Sequence, residues 1–118
     1  MRIEILYFDE CPNRAPAVER IEEALRLELL TAELIEVDVQ DATDARSLRF
    51  VGSPTIRIDG NDIETAARTS KDFGVFCRTY SDKGKRVGIP PLDLIRSAMR
   101  EADAASADGP ENERGPTP

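Results

Sequence analysis

The sequence predicts an α/β domain, a three-layer sandwich in which a central mixed four-stranded sheet carries helices in the order β-α-β-α-β-β-α. Three observations lead there. Two β-rich segments, residues 2–8 and 34–39, flank a stretch with helical periodicity. A tight-turn signature, Asp59-Gly60-Asn61, joins two further short β segments. A last amphipathic stretch opens at Pro90-Pro91.

The first strand is Arg2 to Phe8, and Asp9-Glu10-Cys11-Pro12-Asn13 reads as the loop that ends it. From Arg14 onward Val18, Ile21, Leu25 and Leu29 recur at helical spacing, and Glu19, Arg20, Glu22, Glu23 and Arg26 supply the polar face. Asn13 is the expected N-cap, which leaves Pro16 at the third helical position, where its missing N–H breaks no intrahelical bond. Leu34 to Val39 sets Ile35, Val37 and Val39 on one face. A full helix separates the two strands, so they should run parallel with a right-handed crossover.

Asp41 to Phe50 is a weaker amphipathic stretch and predicts a short helix. Thr55 to Ile58 and Asp62 to Glu64 form the hairpin, with Gly60 supplying positive φ. Residues 66–88 show few periodic apolar positions and several turn formers, including Gly74, Gly84 and Gly88, so a long irregular segment is expected. Leu92, Ile95, Met99 and Ala102 give the last helix its buried face. Residues 1–102 therefore make one domain, as a chain of 118 residues allows, and 103–118 read as a disordered acidic tail rich in Pro, Gly and charge.

Composition excludes several function classes. A formal charge of −7 argues against nucleic-acid binding, which needs clustered Lys and Arg to displace counterions. No run of about 20 apolar residues is present, so no membrane partner is expected. The start, Met1-Arg2-Ile3-Glu4-Ile5-Leu6, lacks the apolar core of a secretory signal, and a cytoplasmic location is the expectation. The chain has no histidine, which removes the usual general base and the imidazole metal ligand. The glycines form no phosphate-binding loop, and Asp38, Asp41 and Asp44 lack calcium-loop spacing, so no nucleotide, oxygen-ligand metal or other cofactor is expected.

Thiols remain. Cys11 lies between the first strand and first helix, in Tyr7-Phe8-Asp9-Glu10-Cys11-Pro12-Asn13-Arg14, and Pro54 immediately precedes the third strand in Gly52-Ser53-Pro54-Thr55. The positive end of a helix stabilises a thiolate, and Arg14 adds a cation nearby. Asp9 and Glu10 oppose both if they point inward. In a reducing compartment such cysteines are catalytic, redox-sensing or metal-binding more often than structural.

The element order and these two segments resemble the thioredoxin fold over roughly residues 1–102. Together with Phe73-Gly74-Val75-Phe76-Cys77-Arg78-Thr79-Tyr80 they resemble a group of small bacterial thioredoxin-like proteins. Some of that group carry names linked to alkylmercury lyase, although no match to the lyase catalytic core is present. The resemblance implies that Cys11 is the attacking thiol and Pro54 a cis-proline facing it. Ser53 would then present its carbonyl and N–H to an extended substrate. The chain departs from the CxxC pattern, because Arg14 stands where the resolving cysteine would be.

Cys77 can replace it. A third strand antiparallel to the first brings the segment after the hairpin back toward Cys11, with enough chain to reach disulfide distance. Three readings follow. One is a thiol–disulfide oxidoreductase or redox-responsive protein acting on a protein or small-molecule thiol or disulfide, with Cys11 as nucleophile and Cys77 as resolving thiol. Another is a protein holding a soft metal ion, mercury or copper, between Cys11 and Cys77. The last is a non-catalytic interaction module.

Overall fold

In the computed structural model, which describes residues 1–107, the sheet forms around a row of isoleucines. Strand β1 (Arg2–Tyr7) pairs in parallel with β2 (Glu33–Asp38) and antiparallel with β4 (Thr55–Ile58). The register sets Ile3 opposite Ile58 and Ile5 opposite Ile56, so four branched side chains share one face. Strand β5 (Asn61–Asp62) completes the order β2-β1-β4-β5.

Two helices cover the isoleucine face. Helix α1 (Arg14–Glu28) buries Ala17, Ile21 and Ala24 there, and α3 (Leu92–Ala107) adds Ile95, Ala98 and Met99. The opposite face holds a smaller cluster, in which Leu6 and Val39 of the sheet layer meet Ala45 of α2 (Ala42–Leu48) and Phe50 just beyond it. The helices thus form layers on both sides of a mixed sheet. Among the described residues no helix is long and apolar enough to cross a membrane.

Local chemistry explains the ends of these elements. Asp41 caps α2 by accepting the N–H of Asp44 at 2.8 Å. Asn13 occupies the N-cap position of α1, but its side chain makes no capping bond. It lies instead against Gly88, where an added Cβ would meet the Asn13 Nδ2 at 2.5 Å. The hairpin loop between β4 and β5 is Asp59-Gly60, with φ of 50° and 89°, the paired positive φ that two-residue hairpins need.

Four expectations need correction. Leu29 is not on the buried stripe of α1: it adopts a left-handed φ of 56° as the C-cap and is 91% exposed. The second hairpin strand is the two-residue β5, starting one residue earlier than expected; Ile63 still donates its N–H to the Ile56 carbonyl, and Glu64 is the N-cap of the 3-10 turn that follows. Residues 66–88 are not irregular. They contain most of a 3-10 turn (Thr65–Thr69), strand β6 (Gly74–Cys77) and a hairpin of β7 (Tyr80–Asp82) and β8 (Lys85–Val87). Helix α3 continues through Ala107, so residues 103–107, expected in the disordered tail, are helical. Three alanines in that stretch favour the extension. The rest of the expected tail, 108–118, lies outside the described residues.

Helices α1 and α3 are also joined by charge. Glu28 accepts from Arg96 Nε and Arg100 Nη1, both at 2.6 Å. The hydrogen bond from Arg96 is the main cause that holds the Glu28 carboxyl below its ordinary value of 4.5; partial burial opposes it, and the charges of Arg100 and Arg96 add to it. A carboxylate with a depressed folded pKa contributes stability that is full above its unfolded pKa and is lost as pH falls through the folded value. Urea unfolding of the wild type should therefore weaken as pH drops below about 4.5, a loss that Glu28→Gln makes shallower. Parallel pH profiles for the two proteins would contradict this coupling.

Candidate functional site

The antiparallel register of β1 and β4 fixes where the site lies. Leu6 pairs with Thr55, so the chain before Thr55 runs beside the chain after Leu6. That juxtaposes Ser53-Pro54 with Tyr7-Phe8, and the Cys11 N–H returns to the Phe8 carbonyl at 3.0 Å. Cys11 is 8% exposed and is a free thiol. Loop residues Phe8, Asp9 and Glu10 share a cleft of about 460 Å³ with Val39 and with Val75 of β6.

The Ser53–Pro54 peptide bond is cis, and the three carbonyls around it each accept a hydrogen bond. The Thr55 hydroxyl donates to the Gly52 carbonyl at 2.6 Å, the Arg78 N–H to the Ser53 carbonyl at 2.9 Å, and the Tyr80 hydroxyl to the Pro54 carbonyl. Strand β3 (Val51–Ser53) pairs in parallel with β6, with Ser53 opposite Cys77. The expectation that Ser53 presents a free carbonyl to an extended substrate is therefore corrected: the chain's own β6 is the extended segment lying there. Ser53 Oγ is sealed from solvent and has no hydrogen-bond partner among the described residues.

Gly52 makes this pairing possible. Its φ is +107°, and an added Cβ would stand 2.9 Å from both the Arg78 Cβ and the Phe76 ring. Phe76 sets its Cδ1–Cε1 edge against Gly52 and its Cδ2–Cε2 edge against Gly74 while remaining 43% exposed; Val75 is 39% exposed and Cys77 is exposed as a free thiol. The structure thus brings Cys11, Ser53, Pro54 and Cys77 to one end of the sheet and gives the two thiols unequal access to solvent.

Arg14 has other partners than the thiol. Its guanidinium sits 4.3 Å from the centroid of the Tyr7 ring, and its Nε is 3.5 Å from Glu36. These contacts link the start of α1 with the end of β1 and with β2.

The residue that sequence reasoning missed is Arg78, 6% exposed. Its two Nη atoms each donate to one Asp62 oxygen at 2.8 Å, Nη2 also reaches Glu64 at 2.9 Å, and Nη1 reaches Thr55 Oγ1 at 3.2 Å. The same guanidinium lies 4.4 Å from the centroid of the Tyr80 ring. Burial works against its charge, but the hydrogen bond to Asp62 leads a set of interactions that raise its pKa overall, so it stays a cation. Tyr80 is held as a neutral phenol, chiefly by burial and against the pull of Arg78, with the nearby Asp62 and Glu64 adding to the rise. Its hydroxyl is thus a permanent donor to Pro54. The adjacency of Cys77, Arg78 and Tyr80 was visible in the sequence, yet a buried arginine is rare enough that only its partners reveal it.

Removing one side of such a pair strands the other. Arg78→Met should leave Asp62 and Glu64 without their cation and cost about 3–5 kcal/mol in urea unfolding. A loss below ~1 kcal/mol would mean that solvent already reaches these carboxylates.

Among the described residues no group of three or more Cys, Asp or Glu side chains could hold a metal ion. Comparison with known proteins adds no family, since no family model matches the chain and no curated protein matches it significantly.

Proposed function

We propose that the chain is a thioredoxin-like thiol–disulfide exchange protein in which Cys11 and Cys77 form the reactive pair. One observation carries the reading. Strand β6 sets Cys77 opposite Ser53, next to cis-Pro54, at the end of the sheet where the Cys11 loop leaves β1. The helix-sheet-helix layering and the parallel β1–β2 crossover support the fold assignment.

The reaction needs only a partner disulfide as co-reactant. A thiolate of the pair attacks one partner sulfur, the partner S–S bond breaks, and the leaving sulfur takes the electron pair and then a proton. The second thiolate attacks the mixed disulfide, releasing the other partner sulfur, which is protonated in turn. Two electrons and two protons have then passed to the partner, and Cys11 and Cys77 are joined. Run in reverse, the same steps oxidise a partner dithiol. Cys11 is little exposed, so a small disulfide or a thin extended chain fits it better than a flat protein surface. Cys77 is open to either.

Reduced protein incubated with glutathione disulfide and read by intact mass should lose two hydrogens and retain no glutathione. Cys11→Ser and Cys77→Ser should each stop at a glutathione adduct. A wild type that accumulates two stable adducts has independent thiols and is not an exchange protein. The oxidised form closes a long loop, and the chain-entropy relation gives about 4 kcal/mol of added stability before any native-state cost. A urea midpoint unchanged on oxidation would contradict the pairing.

A further inference from the structure

A second concavity, independent of the thiols, opens where the C-terminus of α2, the β4–β5 hairpin and the 3-10 turn meet. It measures about 170 Å³, and Arg49, Arg57 and Arg68 line it together with Asn61, Asp62 and Ser70. We propose that it is a binding site for a small tetrahedral oxyanion, phosphate or sulfate in chemistry, held by Arg57 and Arg49 with Asn61 and Ser70 at its rim.

The charges leave room for such an anion. Asp62 is the one carboxylate on the lining, and both its oxygens are held by Arg78. Arg68 is balanced by Glu101, at 2.9 Å and 3.2 Å. Arg49 and Arg57, in contrast, form no ion pair among the described residues. Arg57 Nη2 donates to the carbonyls of Leu48 and Arg49 at 2.7 Å and 2.8 Å, which fixes the guanidinium across the end of α2. Its Nε and Nη1 have no partner among the described residues and are not sealed from solvent. Arg49 is steadied over the Phe73 ring at 5.0 Å, and its guanidinium makes no hydrogen bond among the described residues.

Preorganised arginines with spare donors suit a planar or tetrahedral oxyanion, because two N–H groups meet two oxygens without further ordering. Burial, followed by the nearby Arg78 and Arg49 charges, pushes the Arg57 guanidinium below its ordinary pKa against the pull of Asp62 and Glu4. A bound anion would reverse that imbalance. The volume is below the roughly 300–1,000 Å³ of pockets that take drug-sized ligands, so the site suits a single oxyanion group rather than a nucleotide.

The test is a titration of isotope-labelled full-length protein with inorganic phosphate, at ionic strength held constant with chloride, followed by amide NMR shifts. The expected result is saturation in the millimolar range or below, with the amides of Gly60, Asn61 and Ser70 moving together. R49Q and R57Q should each weaken the fitted affinity about tenfold or more, as loss of a charge-assisted hydrogen bond implies. Arg49 is exposed, so R49Q decides the matter even if R57Q, which also uncaps α2, proves unstable. A linear drift without saturation, shifts centred elsewhere on the molecule, or an R49Q affinity equal to wild type would each overturn the proposal.

Discussion

The bidentate contact between Arg78 and Asp62 joins parts of the chain that have no other reason to meet. Asp62 ends the main sheet at β5, Arg78 follows β6, and the backbone N–H of Arg78 holds the Ser53 carbonyl before cis-Pro54. The ring of Tyr80 lies beneath the guanidinium and sends its hydroxyl to Pro54. Every one of these groups is polar and nearly sealed from water, so the cluster is tolerable only when complete. Loss of the cation strands two carboxylates, and loss of Tyr80 leaves a buried carbonyl with one partner fewer. The segment after the hairpin is therefore pinned to the proline turn by directional bonds and not by apolar burial alone.

This pinning has a consequence for any chemistry at Cys11. A sheet edge beside a proline turn offers backbone groups to an incoming strand, but here β6 already fills that place and brings a cysteine with it. The arrangement is that of a chain presenting its own extended segment to its own thiol loop. Val75, Phe76 and Cys77 are exposed, while β6 is held by its pairing with β3, by Phe76 over two glycines, by contact with α2 and by the Gly74 N–H on the Phe50 carbonyl. Under the proposed exchange reaction, such a strand can supply the second sulfur without a CxxC helix turn. The vacancy that Arg14 creates in the usual motif is then no obstacle, and Arg14 is free to tie α1 to Tyr7 and Glu36.

The main sheet and its helices were legible because burial imposes period. Ile3, Ile5, Ile56 and Ile58 alternate, and Val18, Ile21 and Leu25 follow the helical repeat and pack on the core, although the fully buried Ala17 and Ala24 beside them were not part of the stripe read from the sequence. Strands β6 to β8 were not legible for the complementary reason. Val75, Phe76, Lys85 and Arg86 are exposed, and a strand that buries little leaves no period to read. The Cys11 loop and Pro54 were found through local order along the chain, whereas the Arg78 cluster depends on residues 14 to 16 positions earlier and on a pairing that only the fold supplies. Leu29 failed for a different reason: its spacing fits the stripe, but the helix ends one residue before it.

Net charge proved a guide to the whole surface and a poor one to any part of it. The acidic excess of −7 sits largely on solvated faces such as Glu19, Glu22 and Glu23 of α1. Several arginines instead act at joints, where their planar forks meet backbone carbonyls: Arg20 on Pro90, Arg57 on Leu48 and Arg49, Arg68 on Asp62, Arg86 on Thr79. A carbonyl offers partial charge but no full counter-ion, so an arginine spent this way keeps most of its positive field. Where Arg57, spent this way, shares a small cavity with Arg49, which forms no ion pair among the described residues, the proposed anion site finds its positive charge within a strongly acidic protein. The same scattering of cations that argues against a nucleic-acid surface is thus compatible with recognition of one small anion.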